Sequence, residues 1–168
     1  MKAMIVYDSG FGNTAKIAQA IGDGVRAALG SVGDVDVYPV ADVKAQQLAG
    51  VDLLVVGSPT RGFRPMPTTT EFLKGIPNNS LRGVRVAAFD TRFTAEKIRA
   101  IGWFLNALVG LFGYAARSIS DQLVKKGGTL ALLPEGFYVG DTEGPLLEGE
   151  AERATIWARR LVTETVPA

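Results

Sequence analysis

Residues 7–18 read YDSGFGNTAKIA and join a predicted strand to a predicted helix. The strand, residues 3–7, is an apolar run without a polar interruption, as expected of a strand buried on both faces. After the turn, apolar residues recur at every fourth position from Ile17 to Leu29, which predicts one buried helical face. A glycine-rich turn between a buried strand and a helix favours an anion, because the helix dipole and free backbone N–H groups both point toward it.

The turn offers neutral hydrogen-bond donors and no lysine. Ser9, Asn13 and Thr14 have short side chains that can reach phosphate oxygens, and Gly10 and Gly12 allow the backbone to approach a ligand closely. P-loop nucleotidases use a lysine for the terminal phosphates of a nucleotide, so they are a poor match. The turn therefore predicts a site for a phosphate monoester; the alternative is a tight turn that only caps the helix.

Strands and helices alternate five times along the chain. Further strands are predicted at residues 34–38, 51–57, 84–89 and 128–133. Further helices are predicted after Asp42 as a cap, after Thr68 or Thr69 as a cap, and at residues 115–125 and 151–161. Right-handed crossovers then give a single α/β domain, residues 1–168, with a doubly wound parallel sheet. Ligands of such sheets bind beyond the carboxyl ends of the strands, in the loops after the first, third and fourth strands.

The composition excludes several kinds of chemistry. The 168 residues include no cysteine and no histidine, which removes disulfides, thiolate metal sites, cysteine nucleophiles and histidine bases. Redox or acid–base chemistry would therefore depend on a bound cofactor. The formal net charge of +1 gives no reason to expect nucleic acid as a partner. The apolar start is interrupted by Asp8 too early for a signal peptide, so we expect a cytoplasmic protein.

The 7–18 segment resembles the FMN-phosphate loop of flavodoxins, which has the pattern Thr/Ser-x-Thr-Gly-x-Thr. Ser9, Gly12 and Thr14 match this pattern, whereas Phe11 stands where a threonine is common. An aromatic residue there is also familiar from flavodoxin-like domains fused to flavodiiron proteins. Since all five strand–helix units occur in order, the resemblance covers essentially the whole chain. It implies a flavodoxin-like five-stranded parallel sheet of order 2-1-3-4-5 in three αβα layers, with one FMN whose phosphate contacts residues 9–14.

The resemblance assigns roles to the loops after the third and fourth strands. It implies that Ser58 and Thr60 bond to the ribityl chain or the phosphate and that Phe63 packs on the flavin ring. The flavodoxin tyrosine of the next loop is missing, and Phe93 is the nearest aromatic candidate. Asp90 has an alternative role, as the cap of a turn. The candidate residues of the two loops are Ser58, Pro59, Thr60, Arg61, Gly62 and Phe63, followed by Asp90, Thr91, Arg92 and Phe93.

Three arginines, Arg61, Arg64 and Arg92, lie in these loops. Low-potential flavodoxins surround the flavin with acidic residues, which oppose the negative charge of the reduced ring. A cation close to the ring would instead favour reduction by Coulomb attraction. The alternative is that all three side chains point to solvent or pair with carboxylates.

An uncharged stretch, AIGWFLNALVGLFGYAA, occupies residues 100–116 between Arg99 and Arg117. It indicates an insertion at about 96–114, beside the third candidate loop. Three glycines, Asn106 and its short length argue against a membrane span. The insertion is expected to fold as a flap over the core, to form a homodimer interface or docking surface, or to dip into a bilayer surface, where it would meet a quinone.

The leading hypothesis is an FMN-binding, flavodoxin-like electron-transfer protein that acts with a redox partner protein or a quinone. One alternative is an enzyme, an FMN-dependent quinone or protoporphyrinogen oxidoreductase. The Ser-Pro-Thr-Arg run at residues 58–61 favours this alternative, because it resembles quinone reductases of the flavodoxin-like superfamily. The other alternative is a binding module that has the fold but no flavin.

Overall fold

A computed structural model describes residues 1–164 as a parallel sheet between two layers of helices. The four remaining residues of the predicted 1–168 domain lie outside the described part. The strands are β1 (Lys2–Tyr7), β2 (Asp34–Pro39), β3 (Leu53–Pro59), β4 (Arg85–Phe93), β5 (Thr129–Leu130) and β6 (Glu135–Val139). The helices are α1 (Asn13–Leu29), α2 (Pro67–Gly75), α3 (Ala95–Ile101), α4 (Trp103–Phe112), α5 (Ala115–Lys125) and α6 (Glu150–Thr163). The strand order is β2-β1-β3-β4-β5 with every pair parallel, which confirms the predicted fold.

Each face of the sheet has its own hydrophobic core. Alternate residues of a strand point to opposite faces, so Ile5 packs under α1 and α6 while Val6 packs under α2 and α5. Phe89 and Trp157 belong to the first core, and Ile119 belongs to the second. Burial on both faces explains why β1 and β3 have continuous apolar runs rather than alternating ones.

The fifth strand position is split in two, whereas one strand was predicted at residues 128–133. β5 pairs with Arg85 and Val86, and β6 pairs with the far end of β4, from Phe89 to Phe93. Pro134 has no N–H to donate to a sheet, so the ladder is interrupted before β6 begins. Strand β6 was not predicted because Gly136 breaks its apolar pattern. The Arg92 guanidinium occupies the space that a Cβ would take at residue 136, so a larger residue there would displace Arg92 from its place beside Asp90.

Two predicted caps are wrong. Residues 40–48 form two short 3-10 turns, Val40–Asp42 and Ala45–Leu48, so Asp42 ends a turn instead of capping an α-helix. The extended backbone of Val43 separates the turns. Helix α2 begins at Pro67 with Met66 as its N-cap, and Thr68 and Thr69 lie in its first turn. Proline suits the first helical position because its fixed φ is already helical and its missing N–H is not needed there.

The insertion forms two helices, α3 and α4, joined at Gly102. Helix α4 has no buried residue and contributes to neither core. Among the helices of residues 1–164, none combines the length and the apolar character that a membrane crossing requires. The insertion therefore stands beside the carboxyl end of β4 as a largely exposed apolar unit.

Candidate functional site

A cleft of about 400 Å³ lies at the carboxyl edge of the sheet, between the three predicted loops and the insertion. This volume is in the range of pockets that hold small-molecule ligands. All predicted site residues line the cleft except Gly12, Ser58 and Asp90. Six residues that were not predicted complete its wall: Ile98, Leu105, Val109, Tyr114, Val139 and Thr142.

The first loop presents free donors at the start of α1. The Ser9 hydroxyl oxygen accepts hydrogen bonds from the Gly12 amide (3.0 Å) and the Ala15 amide (3.4 Å), which leaves its own hydrogen available. Gly12 has a φ of +90°, a conformation that glycine adopts without strain. Within residues 1–164, the backbone amides of Asn13 and Thr14 have no acceptor. These groups carry the partial positive charge of the helix terminus and suit an anion.

Two threonines connect the first loop to β4. The hydroxyl oxygens of Thr14 and Thr91 are 2.8 Å apart, and both side chains are buried at the base of the cleft. One hydroxyl donates to the other, so one hydrogen of the pair remains for a ligand. The Asn13 side chain donates to the carbonyl of Glu143 (3.0 Å), which holds the segment carrying Thr142 against the cleft.

The second loop ends in a two-residue turn. Arg61 and Arg64 exchange backbone hydrogen bonds of 2.9 and 3.1 Å, and the two residues between them both have positive φ, 52° for Gly62 and 68° for Phe63. Left-handed backbone is costly for an aromatic residue. Phe63 remains in the cleft wall through contact with Phe112 of α4, with ring centroids 6.0 Å apart.

Ser58 supports this loop from below. Its hydroxyl oxygen accepts the Met66 amide (2.8 Å) and its hydrogen goes to the carbonyl of Pro59 (3.1 Å). Ser58 is completely buried and does not line the cleft, so its hydroxyl is committed to the protein rather than offered to a ribityl chain. Thr60, in contrast, does line the cleft.

Asp90 and Thr60 cap helix α5, whose own N-cap residue, Tyr114, has no capping side chain. The hydroxyl oxygen of Thr60 accepts the amide of Ala115 (3.0 Å), and the Asp90 carboxylate accepts the amide of Ala116 (2.8 Å). Both amides belong to the first turn of α5, where no intrahelical acceptor exists. Asp90 therefore caps a helix that belongs to another element of the fold, whereas the sequence suggested the cap of a turn.

The same Asp90 carboxylate forms a two-point ion pair with Arg92, at 2.5 and 2.8 Å. Asp90 is completely buried, whereas the Arg92 side chain keeps 17% of its surface exposed and lines the cleft. Burial raises the pKa of Asp90, and the Arg92 guanidinium and the Ala116 amide act in the opposite direction. The guanidinium also lies 3.7 Å from the ring centroid of Tyr114. Burial raises the pKa of the Tyr114 phenol as well, so this side chain stays neutral.

Tyr114 was missed in the sequence because it lies inside the apolar stretch, far along the chain from the predicted loops. It lines the cleft together with Phe93, the aromatic residue that was predicted there. Phe93 is contacted by Lys97, whose ammonium lies 5.0 Å from the ring centroid. The cleft therefore has aromatic side chains from both sides of the β4 loop.

The lining of the cleft has two cations and no carboxylate. Arg92 is paired behind the wall with Asp90, but within residues 1–164 Arg61 forms no ion pair. The Arg61 guanidinium occupies the space where a Cβ of residue 10 would lie, and it is 5.2 Å from the ring centroid of Phe11. Arg61 thus bridges the first and second loops and gives the cleft an uncompensated positive charge.

Comparison with known proteins identifies relatives of the whole domain. A family model for flavodoxin matches residues 5–155, and no curated protein matches the sequence. The structure is similar to oxidised Flavodoxin 1 from Bacillus cereus, with a TM-score of 0.74 and 15% identity over 99% of this chain and 100% of that chain. A flavodoxin from the domain Archaea gives a TM-score of 0.72 and 22% identity over 97% of each chain. Rubredoxin oxygen:oxidoreductase from Desulfovibrio gigas gives a TM-score of 0.70 and 18% identity, over 96% of this chain and 35% of that chain.

Replacing Arg92 with methionine should destabilise the fold in a pH-dependent way. The Asp90 carboxylate would lose its partner, which costs about 3–5 kcal/mol when the charge stays buried. Asp90 already has a raised pKa, and losing Arg92 raises it further, so the folded variant binds a proton that the unfolded chain releases. The free energy of unfolding should therefore fall as pH rises, and the loss should be larger at pH 7 than at pH 4, as measured by urea unfolding.

Two controls accompany this measurement. Arg159→Met removes an exposed arginine of α6 that has no ion pair within the described residues, and it should cost little at either pH. A double variant, Asp90→Asn with Arg92→Met, should show a loss that no longer depends on pH. An equal loss at both pH values in the single variant would contradict the buried ion pair.

Proposed function

This chain belongs to the flavodoxin family, and from that premise we propose that it binds one FMN in the cleft and transfers electrons to a redox partner protein. The observation that carries the proposal is the set of uncommitted donors at the start of α1. The amides of Asn13 and Thr14, the Ser9 hydroxyl and the Thr14–Thr91 pair converge there, with no carboxylate in the cleft lining. This neutral donor set fits a phosphate monoester.

The residues present also fit the remainder of FMN. Phe63 of the second loop, Phe93 of the third loop and Tyr114 before α5 offer apolar surfaces for a flat ring, and Thr60 offers a hydroxyl beside them. FMN, when bound, would supply reversible electron transfer at the isoalloxazine ring. The role of the protein is to hold the phosphate, to shield the ring from water and to set the charge around it.

The flavin content of the purified protein tests this proposal. We expect stoichiometric FMN, identified by acid release and chromatography, because the donor set serves one phosphate and a second nucleotide has no corresponding loop. Bound FAD at full occupancy would contradict the assignment. A colourless protein that also fails to bind added FMN would favour the flavin-free binding module instead.

Ser9→Ala and Thr14→Ala should each weaken FMN binding by about ten- to a hundredfold, because each removes a hydrogen bond to a charged phosphate. The matched control is riboflavin, which has the same ring and no phosphate. Loss of a phosphate contact lowers FMN affinity only, whereas damage to the cleft lowers the affinity for both ligands. Fluorescence titrations give the dissociation constants of FMN and riboflavin for each protein. If the ratio of these two constants is the same in wild type and variants, the phosphate does not contact Ser9 or Thr14.

A second candidate function is an FMN-dependent oxidoreductase that reduces a quinone or oxidises a protoporphyrinogen. The specific observation in its favour is the lining of the cleft, which combines two arginines with an apolar wall from Leu105 and Val109. Such a lining suits an apolar acceptor beside an electron-rich ring. Stepwise reduction followed by visible absorbance separates the two functions: reduction in two resolved one-electron stages supports the carrier, and a single two-electron stage supports the enzyme.

Arg61→Gln should lower the potential for two-electron reduction of the bound flavin. An uncompensated cation in the cleft stabilises the added negative charge, and its removal should shift the potential by on the order of 20–60 mV at low ionic strength. Arg64→Gln is the matched control. It lies in the same turn, changes the net charge equally and does not line the cleft. If both variants shift the potential equally, the effect is one of net charge and Arg61 has no special position.

A further inference from the structure

We propose that the outer face of helix α4 docks on an anionic lipid surface. This docking goes beyond the flavin site and does not depend on it, because the residues that carry it lie outside the cleft. The helix stands beside the cofactor cleft, so docking would fix the orientation of that cleft relative to the membrane.

The outer face of α4 is the largest concentration of exposed apolar side chains in residues 1–164. Trp103 is 81% exposed, Leu111 is 75% exposed and Phe104 is 63% exposed. Beside this face, Ile101 at the end of α3 and Phe112, which contacts Phe63 at the edge of the cleft, are also more than half exposed. These five residues lie within a stretch of twelve. Apolar residues exposed singly are ordinary, but a contiguous patch of this kind marks an interaction site.

The helix is apolar on both sides. Leu105 and Val109, one turn apart, face the cleft. Trp103 and Leu111, two turns apart, share the opposite side. A helix that is apolar all round is stable only where something covers both faces. The cleft accounts for one face, and no residue of the described chain buries the other.

Positive charges frame this face. Arg99 is an exposed residue of α3, four positions before Trp103, and the exposed Arg117 lies beside Gly113 at the other end of α4. Within residues 1–164 neither arginine forms an ion pair. From Lys97 to Ser120 the sequence contains no acidic residue. The partner that this arrangement fits has an apolar interior and a negatively charged rim, as a bilayer of anionic phospholipids has.

A second copy of this chain fits less well. Two copies paired face to face would bring their arginines close to one another, and like charges oppose such a contact. Protein interfaces also contain about one hydrogen bond per 100–200 Å². The outer face offers only the Trp103 indole and the Asn106 amide as side-chain donors. Acyl chains require no hydrogen bonds, and tryptophan is favoured at the boundary between acyl chains and headgroups.

The length of α4 sets how it would bind. Ten residues span about 15 Å, half of the hydrocarbon thickness, so the helix cannot cross the bilayer. It would lie in the plane of the surface, with Trp103, Phe104 and Leu111 among the upper acyl groups and the flanking arginines at the phosphates.

Vesicle flotation tests the proposal directly. We expect the protein to float with vesicles of equal parts phosphatidylcholine and phosphatidylglycerol, and to float weakly with phosphatidylcholine alone. Trp103 is a built-in reporter, because the other tryptophan, Trp157, is 4% exposed and packs in the core. Anionic vesicles should shift the tryptophan emission to shorter wavelength, and Trp103→Phe should abolish this shift. A wild-type protein that neither floats nor shifts would overturn the proposal.

Matched variants separate the apolar and the charged contributions. Leu111→Glu should reduce partitioning at least about tenfold, whereas Leu133→Glu, which alters an equally exposed leucine away from α4, should have no effect. Arg99→Gln with Arg117→Gln should reduce binding to anionic vesicles by about 25-fold. Arg82→Gln with Arg159→Gln makes the same change in net charge elsewhere and should reduce it far less.

The same variants also test whether the outer face of α4 binds a second copy of the chain instead of lipid. Sedimentation of the wild-type protein should show a monomer without vesicles. A dimer that Leu111→Glu converts to monomer would assign the face to a second copy and overturn the proposal. Equal flotation of Leu111→Glu and wild type would also overturn it, and an unchanged circular dichroism spectrum of each variant confirms that it is folded.

Discussion

The buried carboxylate of Asp90 connects strand β4 to helix α5 beneath the cleft. It belongs to β4, caps α5 through the Ala116 amide and pairs with Arg92, which in turn stacks on Tyr114. A buried carboxylate must satisfy its oxygens inside the protein, and here it does so with groups on two elements. Because those partners are fixed, the end of β4, the start of α5 and the aromatic wall between them are held in one arrangement. The hydrogen bonds of Asp90, which lie below the cleft surface, therefore hold this part of the cleft wall in place.

Two helices, α1 and α5, begin at this edge of the sheet, and their first-turn amides differ in whether they have hydrogen-bond acceptors. Thr60 and Asp90 satisfy the first turn of α5. The first turn of α1 receives only the Ser9 oxygen at Gly12 and Ala15, so the amides between them remain available. Since both helix termini carry the same partial charge, this difference in capping decides where an anion can bind. This contrast is the physical basis for proposing that the first loop binds the phosphate and that the loops after β3 and β4 surround the flavin ring.

The sequence predicted most features that depend on neighbours along the chain, although the caps at Asp42 and at Thr68 or Thr69 were wrong. Apolar runs predicted β1 and β3, four-residue spacing predicted α1, and the glycines and hydroxyls of residues 9–14 predicted the first loop. Features that depend on distant contacts could not be read in this way. Asp90 meets Ala116 across 26 positions and Thr14 meets Thr91 across 77. Strand β6 was not predicted because Gly136 interrupts its apolar pattern, and this glycine leaves space for the distant Arg92 side chain. Tyr114 was hidden for a similar reason, since its place in the cleft follows from the capping of α5 by another element.

The central claim is that the free amides of the first loop hold the phosphate of FMN. The most direct measurement is a pair of nitrogen–proton NMR titrations of flavin-free protein, one with FMN and one with riboflavin, because the difference between them isolates the phosphate. We expect this difference to be largest at the amides of Phe11, Asn13 and Thr14, and small at Ala115 and Ala116, which already have acceptors. A difference centred on Ala115 and Ala116, or spread evenly over the cleft, would contradict the account.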